Sequence, residues 1–401
     1  MSSGAPPSAL AADSTSNGDS ESMLLAKARG CMLGLMVGDG LGAAVEGFPQ
    51  SEIRAIAGST WGVNTIENFI PAVHMGTFVP AGEPGMYKEA REVKDVKFVP
   101  TGPPANMTRL AGCVRNAMYT DDTCACLALA SSIAACGVVD AAHTAKSCAE
   151  LFRDNEAYRG CPPTAKMVMQ ATLEGIAPEL TGLPPYFAFP GGSFANGGAM
   201  RISPLAIAYR KAPAGKLRTA VETAVLSSHR HPEAVDFAVV QAAAVQYALN
   251  ATVDSFDPAQ LLPDLIQRCE VPDMRKVISE VANALKRCAE VDQDLPVLES
   301  ILADVERPRS GMGFQIASVH MAPCVLWVAC RYFEEPRTAV KQAIDIGGDT
   351  DTCASMVGAI MGALHGEQWC ADWAEQMENG PHGRDFATTL AAKLLELDIK
   401  T

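Results

Sequence analysis

Residues 347–352 read Gly-Gly-Asp-Thr-Asp-Thr and are followed at 353–364 by the apolar run Cys-Ala-Ser-Met-Val-Gly-Ala-Ile-Met-Gly-Ala-Leu. An apolar run of this kind is typical of a buried helix, so the acidic cluster is predicted at that helix's N-terminus. Carboxylates and hydroxyls gathered at one point are the hard oxygen ligands that Mg2+ or Ca2+ requires. The stretch therefore predicts a helix that begins at a cation site.

A near copy of this cluster lies far upstream, where residues 119–123 read Tyr-Thr-Asp-Asp-Thr before another helix-like run. For one such segment alone, helix capping is the more common explanation, because Asp and Thr favour helix starts. A third segment changes this assessment, since Asp39 and Glu46 lie in and after an apolar, glycine-rich helix. Acids in such surroundings are costly unless they are paired or metal-bound. Together the two threonine-aspartate segments offer four carboxylates, enough for two divalent cations.

The order of these motifs resembles the ADP-ribosylglycohydrolase family, which includes ADP-ribosyl-acceptor hydrolases and the enzyme that reactivates dinitrogenase reductase. The resemblance covers about residues 27–366. The motifs that carry it are Gly-Asp-Gly-Leu-Gly at 38–42 with Glu46, Tyr-Thr-Asp-Asp-Thr at 119–123, Asn-Gly-Gly-Ala-Met-Arg at 196–201, Ser228-His229 and Gly-Gly-Asp-Thr-Asp-Thr at 347–352.

The resemblance implies a hydrolase that removes ADP-ribose from a modified acceptor by Mg2+-dependent cleavage of the bond at C1″ of the distal ribose. Such glycoside hydrolysis usually employs carboxylates as acid and base. By match to the family, the catalytic residues are Glu46, a mobile carboxylate in the loop after the first helix, and Asp351. The implied ligands of two Mg2+ ions, or of Mn2+, are Thr120, Asp121, Asp122, Asp349, Asp351 and Thr352. The implied substrate-binding residues are Gly192, Ser193, Phe194, Asn196, Gly197 and His229.

The loop before Arg201 can also be interpreted from its residues alone, without the family resemblance. Residues 184–201 are rich in Pro and Gly, and their backbone N–H groups can bind a diphosphate at a helix N-terminus. Phe194 or Tyr186 can stack on a base. The alternative, an ordinary loop whose aromatic side chains fill the core, is favoured without the family match.

Composition limits the class of protein. The chain has 401 residues, 48% of them hydrophobic and 19% charged, so it can bury a sizeable core. Ala-rich segments without strand-like runs predict an all-α protein, and the resemblance implies a compact orthogonal multi-helix bundle with a binuclear metal site. The net charge of −14 argues against binding to nucleic acid or anionic membranes. We expect a monomer whose partners are ADP-ribose and ADP-ribosylated substrates.

The 13 cysteines are scattered without zinc spacing, which predicts reduced thiols in the cytoplasm, with a nuclear or organellar location left open. Residues 1–21 have a disorder-prone composition without a secretory signal. We predict one all-α domain over 22–401, in which residues 49–116 form a long irregular loop or insertion, such as a lid.

Two glycine series predict how this domain is packed. The first helix, near Met23–Ala44, carries glycines at 30, 34, 38 and 42, and the helix after residue 352 carries them at 358, 362 and 366. Glycine weakens a helix by about 1 kcal/mol relative to Ala, so such a stripe indicates that another backbone comes close. We predict that the two helices pack together and bring Asp39, Asp121 and Asp349 near one another. A dinucleotide fingerprint is the poorer explanation, because no βαβ pattern follows.

Two other functional classes stay open. Asp349-Thr-Asp351 also matches a haloacid-dehalogenase-type phosphatase, although that motif normally follows a β-strand near the N-terminus. A catalytically inactive ADP-ribose-binding or crystallin-like relative is the second alternative, but it would be expected to lose acids that this chain retains. The sequence leaves open which carboxylate is acid or base. It also leaves the acceptor open among serine, arginine, O-acetyl-ADP-ribose and poly-ADP-ribose.

Overall fold

A computed structural model describes residues 13–70, 72–74, 87–88, 114–115, 117–287, 294–303, 305 and 315–400. The helices are α1 Asp13–Gly42, α2 Gln50–Trp61, α3 Asp121–Cys136, α4 Ala141–Arg159, α5 Pro163–Leu173, α6 Pro178–Thr181, α7 Gly197–Met200, α8 Ser203–Ala208, α9 Ala214–Val225, α10 Pro232–Asn250, α11 Pro258–Arg268, α12 Pro272–Arg287, α13 Asp294–Ile301, α14 Ser318–Arg331, α15 Pro336–Asp345, α16 Thr350–His365, α17 Ala371–Gln376 and α18 Arg384–Leu397. Short 3-10 turns occur at Ala43–Val45, Val253–Ser255 and Gln368–Cys370. The predicted all-α class is confirmed.

Helices α1 and α16 form the centre of the fold, and their backbones touch along the glycine stripe. A Cβ atom at Gly34 would lie 2.1 Å from the Gly358 carbonyl oxygen, and one at Gly362 would lie 1.8 Å from that of Gly30. No side chain fits between backbones this close, so the predicted close packing of the two glycine-bearing helices is confirmed. The local cost of helical glycine, about 1 kcal/mol each, is offset by contact along the helices.

The remaining helices cover this central pair. Helices α10, α14 and α15 pack on α16, while α18 packs on α1 and α3. Every residue of α16 from Thr350 to Leu364 is buried, which explains why its sequence is apolar all round rather than on one face. The acids that begin α3 and α16 therefore lie where helix ends meet the packed core. In the part of the chain that is described, no helix has the length and apolarity needed to cross a membrane.

Three very short strands occur within the segment predicted as irregular. Strands β1 Ala72–His74, β2 Tyr87–Lys88 and β3 Val114–Arg115 form an antiparallel sheet in the order β2-β1-β3. Val73 is opposite Lys88 on one side and Val114 on the other. Strands of two or three residues are too short to show an alternating pattern, so the sequence could not reveal them. The rest of residues 71–116 lies outside the described residues.

The prediction of an irregular segment over residues 49–116 is wrong at its start, because α2 occupies residues 50–61. Helix α2 follows Pro49, buries Ile53 and Ala57 one turn apart, and ends at Gly62 with a φ of 75°. Ile56 and Trp61 are only partly buried against the core, and Gly-Ser-Thr at residues 58–60 masks the helical period. The sequence signal was therefore weak.

Helix α1 begins at Asp13 rather than near Met23, so it includes residues 13–21 of the segment predicted as disordered. Residues 1–12 lie outside the described residues, and the domain boundary stays a prediction. The phosphatase alternative is wrong, because the residues before the Gly-Gly-Asp-Thr-Asp-Thr stretch form helix α15 rather than a strand.

Candidate functional site

The two threonine-aspartate segments begin helices α3 and α16, as predicted. Thr120 is the N-cap of α3, where its hydroxyl oxygen accepts the Asp122 N–H at 3.3 Å. Asp349 is the N-cap of α16. Gly347, just before it, has a φ of 81°, and a Cβ atom there would lie 2.6 Å from the Phe48 carbonyl oxygen. Only glycine fits this turn, which sets the direction in which α16 starts.

Three carboxylates meet beside the start of α16. Glu46, Asp349 and Asp351 each place one oxygen within 4.8 Å of the others, and Asp351 is buried. Burial, followed by the negative charges of Asp349, Asp121 and Asp39, raises the pKa of Glu46 to about 8. Burial and the charges of Glu46 and Asp349 hold the pKa of Asp351 well above its ordinary value. Such a set of oxygens fits a divalent cation, which would relieve their mutual repulsion.

Asp122 joins the two segments. Its Oδ1 accepts the Ser355 hydroxyl at 2.9 Å, and its Oδ2 accepts the hydroxyls of Thr352 at 3.2 Å and Thr120 at 3.4 Å. Asp121, its neighbour, lines the cavity described below. Burial, and then the charge of Asp39, raises the pKa of Asp121 to about 7. The predicted metal ligands of the two helices thus converge at one place.

Asp39 is fully buried and supports this convergence from behind. It accepts the Thr120 N–H at 2.8 Å, the Thr123 N–H at 3.0 Å and the Thr123 hydroxyl at 2.6 Å. Burial raises its pKa to about 6, and the bonds from Thr123 oppose that rise. Asp39 does not line the cavity. Through the hydrogen bonds to Thr120 and Thr123, its carboxylate holds the first turn of α3 in position.

A second support of α3 was missed in the sequence. The buried ion pair of Arg159 and Glu378 holds both main-chain groups of Tyr119, because Arg159 Nη1 donates to the Tyr119 carbonyl at 2.8 Å and Glu378 accepts the Tyr119 N–H at 3.1 Å. The Arg159 guanidinium also lies 3.5 Å above the Tyr119 ring. These residues end α4 and follow α17, and nothing in their local sequence indicates that they pair.

The backbone after Glu46 is fastened to the acidic turn. The Gly47 N–H donates to the Gly348 carbonyl at 2.7 Å, and the Gly348 N–H donates to the Phe48 carbonyl at 2.9 Å. Helix α2 is in turn attached through Arg54, whose Nε and Nη2 lie 2.9 and 2.6 Å from the two carboxylate oxygens of Asp345.

These contacts bear on the role of Glu46. Arg54 pairs with Asp345, and Arg29 lies 3.7 Å from Glu367, so among the described residues both arginines pair with acids other than Glu46. The predicted mobility of Glu46 stays a prediction.

The acids form one wall of a cavity of about 400 Å³. Of the predicted substrate-binding residues, Ser193, Asn196, Gly197 and His229 line this cavity, whereas Gly192 and Phe194 do not. Phe194 instead packs against Phe189, with ring centroids 5.7 Å apart. Tyr186 is also absent from the lining. The loop therefore reaches the cavity mainly through its small and polar residues.

Polar contacts link this loop to the acids and to a histidine. Asn196 Nδ2 donates to Asp349 Oδ2 at 2.6 Å, which places a predicted substrate residue against a predicted metal ligand. Gly197 lies against His229, since a Cβ atom at this glycine would be 2.7 Å from His229 Nε2. Ser228 Oγ lies 2.8 Å from His229 Nδ1 and accepts from Arg201 Nη2 at 2.7 Å. Burial, and then the charge of Arg201, hold the pKa of His229 well below its ordinary value.

Much of the remaining lining of the cavity is apolar and was not predicted. It is formed by side chains from α3, α4, α5, the turn between α4 and α5, and the loop before α7, including Cys124, Ala125, Cys148, Phe152, Cys161, Val168, Met169 and Phe187. The apolar periods of these helices show that they have a buried side, but not that this side borders a cavity. The cavity volume lies in the range of small-molecule sites.

Comparisons with known proteins agree with the motif order. The family model for ADP-ribosylglycohydrolase matches residues 20–401. The chain is 26% identical over 376 residues to ADP-ribosylhydrolase ARH3 of Bos taurus, covering 88% of this chain and 89% of the relative. It is 25% identical over 376 residues to an uncharacterized protein of Archaeoglobus fulgidus, covering 93% and 97%. A solved structure described as an ADP-ribosylglycohydrolase-related protein complex matches with a TM-score of 0.58 and 19% identity, covering 94% of this chain and 100% of that chain, which supports the fold.

Proposed function

The chain belongs to the ADP-ribosylglycohydrolase family, and from that premise we propose that it removes ADP-ribose from a modified acceptor by divalent-metal-dependent cleavage of the bond at C1″ of the distal ribose. The observation that carries the proposal is the meeting of Glu46, Asp349 and Asp351 at the wall of a cavity that also contains Ser193 and His229. Acids and hydrogen-bond donors in one cavity suit a ligand with a ribose diol and a diphosphate.

The proposed metal ligands are those implied by the family resemblance, namely Thr120, Asp121, Asp122, Asp349, Asp351 and Thr352. Their four carboxylates converge, with those of Asp122 and Asp351 buried and those of Asp121 and Asp349 partly exposed, a donor set that Mg2+ or Mn2+ would neutralise. Glu46 is close enough to Asp349 and Asp351 to share an ion with them. A bound cation would supply a grip on the ribose diol and a more acidic water. We propose two ions.

Glu46 is proposed as the proton-transfer group, with Asp351 beside it. Burial and the neighbouring acids raise the pKa of Glu46 to about 8 when no cation is near, so its protonation depends on whether the metal is bound. A neighbouring cation would lower that pKa and favour the carboxylate, which takes a proton from water. The pH profile of turnover with the metal bound therefore decides whether Glu46 acts as acid or base.

Binding of ADP-ribose is proposed at Ser193, Asn196, Gly197 and His229, which line the cavity. Gly192 and Phe194 stay predictions, since ligand contact at either would require a loop arrangement different from the one described. The cytoplasmic location and the monomeric state also stay predictions.

The test is release of ADP-ribose from a panel of ADP-ribosyl-serine peptide, ADP-ribosyl-arginine peptide, O-acetyl-ADP-ribose and poly-ADP-ribose, each with Mg2+, Mn2+ or EDTA. We expect turnover of at least one substrate with metal and none with EDTA. Asp351→Asn should abolish it, while Asp254→Asn, at an exposed aspartate in a 3-10 turn, should not. Binding of ADP-ribose without turnover of any substrate would instead support the inactive, binding-only alternative.

A further inference from the structure

We propose that Arg201 and Ser228 are positioning residues that fix His229 as a neutral imidazole with its proton on Nε2, so that this N–H donates to an anionic oxygen of the ligand. The inference rests on the proposed function, which supplies the diphosphate as that anion. It concerns hydrogen bonding between three residues that line the cavity, and each step follows from donor and acceptor chemistry.

The first step is the direction of the bond between Arg201 and Ser228. A guanidinium has only donors, so at 2.7 Å the Ser228 oxygen must accept from Arg201 Nη2. The hydroxyl keeps one proton to donate. Among the described residues, its recorded neighbour besides Arg201 is His229 Nδ1, at 2.8 Å.

The second step fixes the imidazole. If Nδ1 carried a proton, the Ser228 hydroxyl would accept twice, and its own proton would be left without an acceptor in a residue that is 9% exposed. With Nδ1 as acceptor, both groups are satisfied. A neutral imidazole has one donor and one acceptor, so the proton is then on Nε2.

The third step is charge. Arg201 is 6% exposed, and its Nε is buried without a hydrogen-bond partner among the described residues. A buried guanidinium this close to an imidazole opposes its protonation. The same positive charge polarises the Ser228 hydroxyl and strengthens it as a donor to Nδ1. Arg201 therefore favours the neutral form through its charge and the Nε2 tautomer through Ser228.

The fourth step is where the N–H lies. His229 and Arg201 line the same cavity as the acids. The Nε2 atom lies against Gly197, where a Cβ atom would come within 2.7 Å, so a side chain at residue 197 would crowd the donor. The cavity lining thus carries negative carboxylates together with a cation and a donor. A ligand with a diol and an anion then finds a partner for each group in the same cavity.

The first experiment needs no ligand. Nitrogen-15 NMR of the histidine side chains, with the His229 signal assigned by its loss in His229→Gln, reads the tautomer directly. We expect neutral, Nε2-protonated His229 in the wild type, the same state in Ser228→Thr, and a mixture of tautomers in Ser228→Ala. A wild-type imidazole that is charged or protonated on Nδ1 would overturn the proposal.

The second experiment measures ADP-ribose affinity by calorimetry and, with the substrate that turns over, KM and kcat. Ser228→Ala should weaken ADP-ribose binding and raise KM by about fivefold, the effect of one neutral hydrogen bond, with a smaller change in kcat. Ser228→Thr should restore most of the loss.

Ser132→Ala is the matched control, because Ser132 is buried and its Oγ lies 2.9 Å from His143 Nδ1, a serine–histidine pair that does not line the cavity. Its ADP-ribose affinity should equal that of the wild type. An altered tautomer in Ser228→Ala without any loss of affinity would refute the positioning role. If the wild type binds no ADP-ribose, the proposed function fails, and the NMR result still decides the tautomer.

Discussion

Substituting Gly38 with alanine tests whether the contact between α1 and α16 sets both stability and the site. A Cβ atom at Gly38 would lie 2.1 Å from the Ala354 carbonyl oxygen and 2.8 Å from the Ser355 nitrogen. These are main-chain atoms in the middle of a buried helix, so they cannot turn aside as a flexible side chain would. Relief requires the two helices to separate by roughly 1 Å along a continuous interface, with loss of close packing.

The expected cost follows from two opposing effects. Overpacking of a core typically costs about 1 to 3 kcal/mol, and the alanine regains about 1 kcal/mol of helix propensity. Because the clash here is backbone against backbone, we expect a net loss of about 2 kcal/mol in the free energy of unfolding. The displacement also reaches the site, since Ser355 Oγ donates to Asp122 at 2.9 Å. A shift of about 1 Å at that contact should lower turnover roughly 100-fold.

Urea unfolding, followed by tryptophan fluorescence, measures the first effect, and release of ADP-ribose measures the second. Gly40→Ala is the control on the same helix, because its Cβ atom would meet the flexible Met377 Cε at 2.9 Å and the Met118 carbonyl oxygen at 3.2 Å. It should unfold close to the wild-type urea concentration. If Gly38→Ala proves as stable and active as Gly40→Ala, the reasoning from backbone contact is refuted.

Three further predictions concern the acids. Glu46→Gln keeps the size of the side chain but removes proton transfer, so initial rates should fall roughly 100-fold or more while calorimetric ADP-ribose affinity survives; near wild-type turnover would remove Glu46 from catalysis. Chelation by EDTA should lower the melting temperature and abolish activity together, because a cation that binds only the folded state stabilises it; unchanged melting with and without Mg2+ would count against a bound ion. In EDTA, the folded state should hold protons that the unfolded state releases, since the pKa of Glu46 is raised from 4.5 to about 8 and that of Asp121 from 3.8 to about 7. Thermal stability should therefore fall as the pH rises from 5 to 8 and should fall less with Mg2+, whereas a rise in EDTA would contradict the raised pKa values.

Features that depend on near neighbours in the chain were predictable. The glycine stripe of α1 could be recognised because residues four apart share a helix face, and a face of glycines has few explanations besides a close backbone. The positions of Thr120 and Asp349 at helix starts also followed from local sequence, since such residues cap helices.

Features that depend on distant partners were not predictable. Arg159 and Glu378 hydrogen-bond to the main chain of Tyr119 from two other parts of the chain. Their pairing could not be predicted, because an arginine at the end of a helix normally indicates only a favourable interaction with the helix dipole. The apolar lining of the cavity was unpredictable for the same reason, since Phe152 and Met169 look like ordinary core residues in their own helices. A single sequence shows that a side chain will be buried, but not whether its neighbour is a side chain or a cavity.

For Glu46, the sequence predicts mobility, and the structure shows which motions leave the surrounding hydrogen bonds intact. From sequence, a carboxylate that opens a Gly-Phe-Pro turn is expected to move. In the structure, motion of the loop as a whole would break the main-chain bonds of Gly47 and Phe48 to Gly348, each about 1 kcal/mol, and would strain the partly exposed contact of Arg54 with Asp345. Rotation of the Glu46 side chain breaks none of these bonds. The proposed proton transfer by Glu46 therefore needs only rotation of its side chain, while the backbone stays beside Asp349 and Asp351.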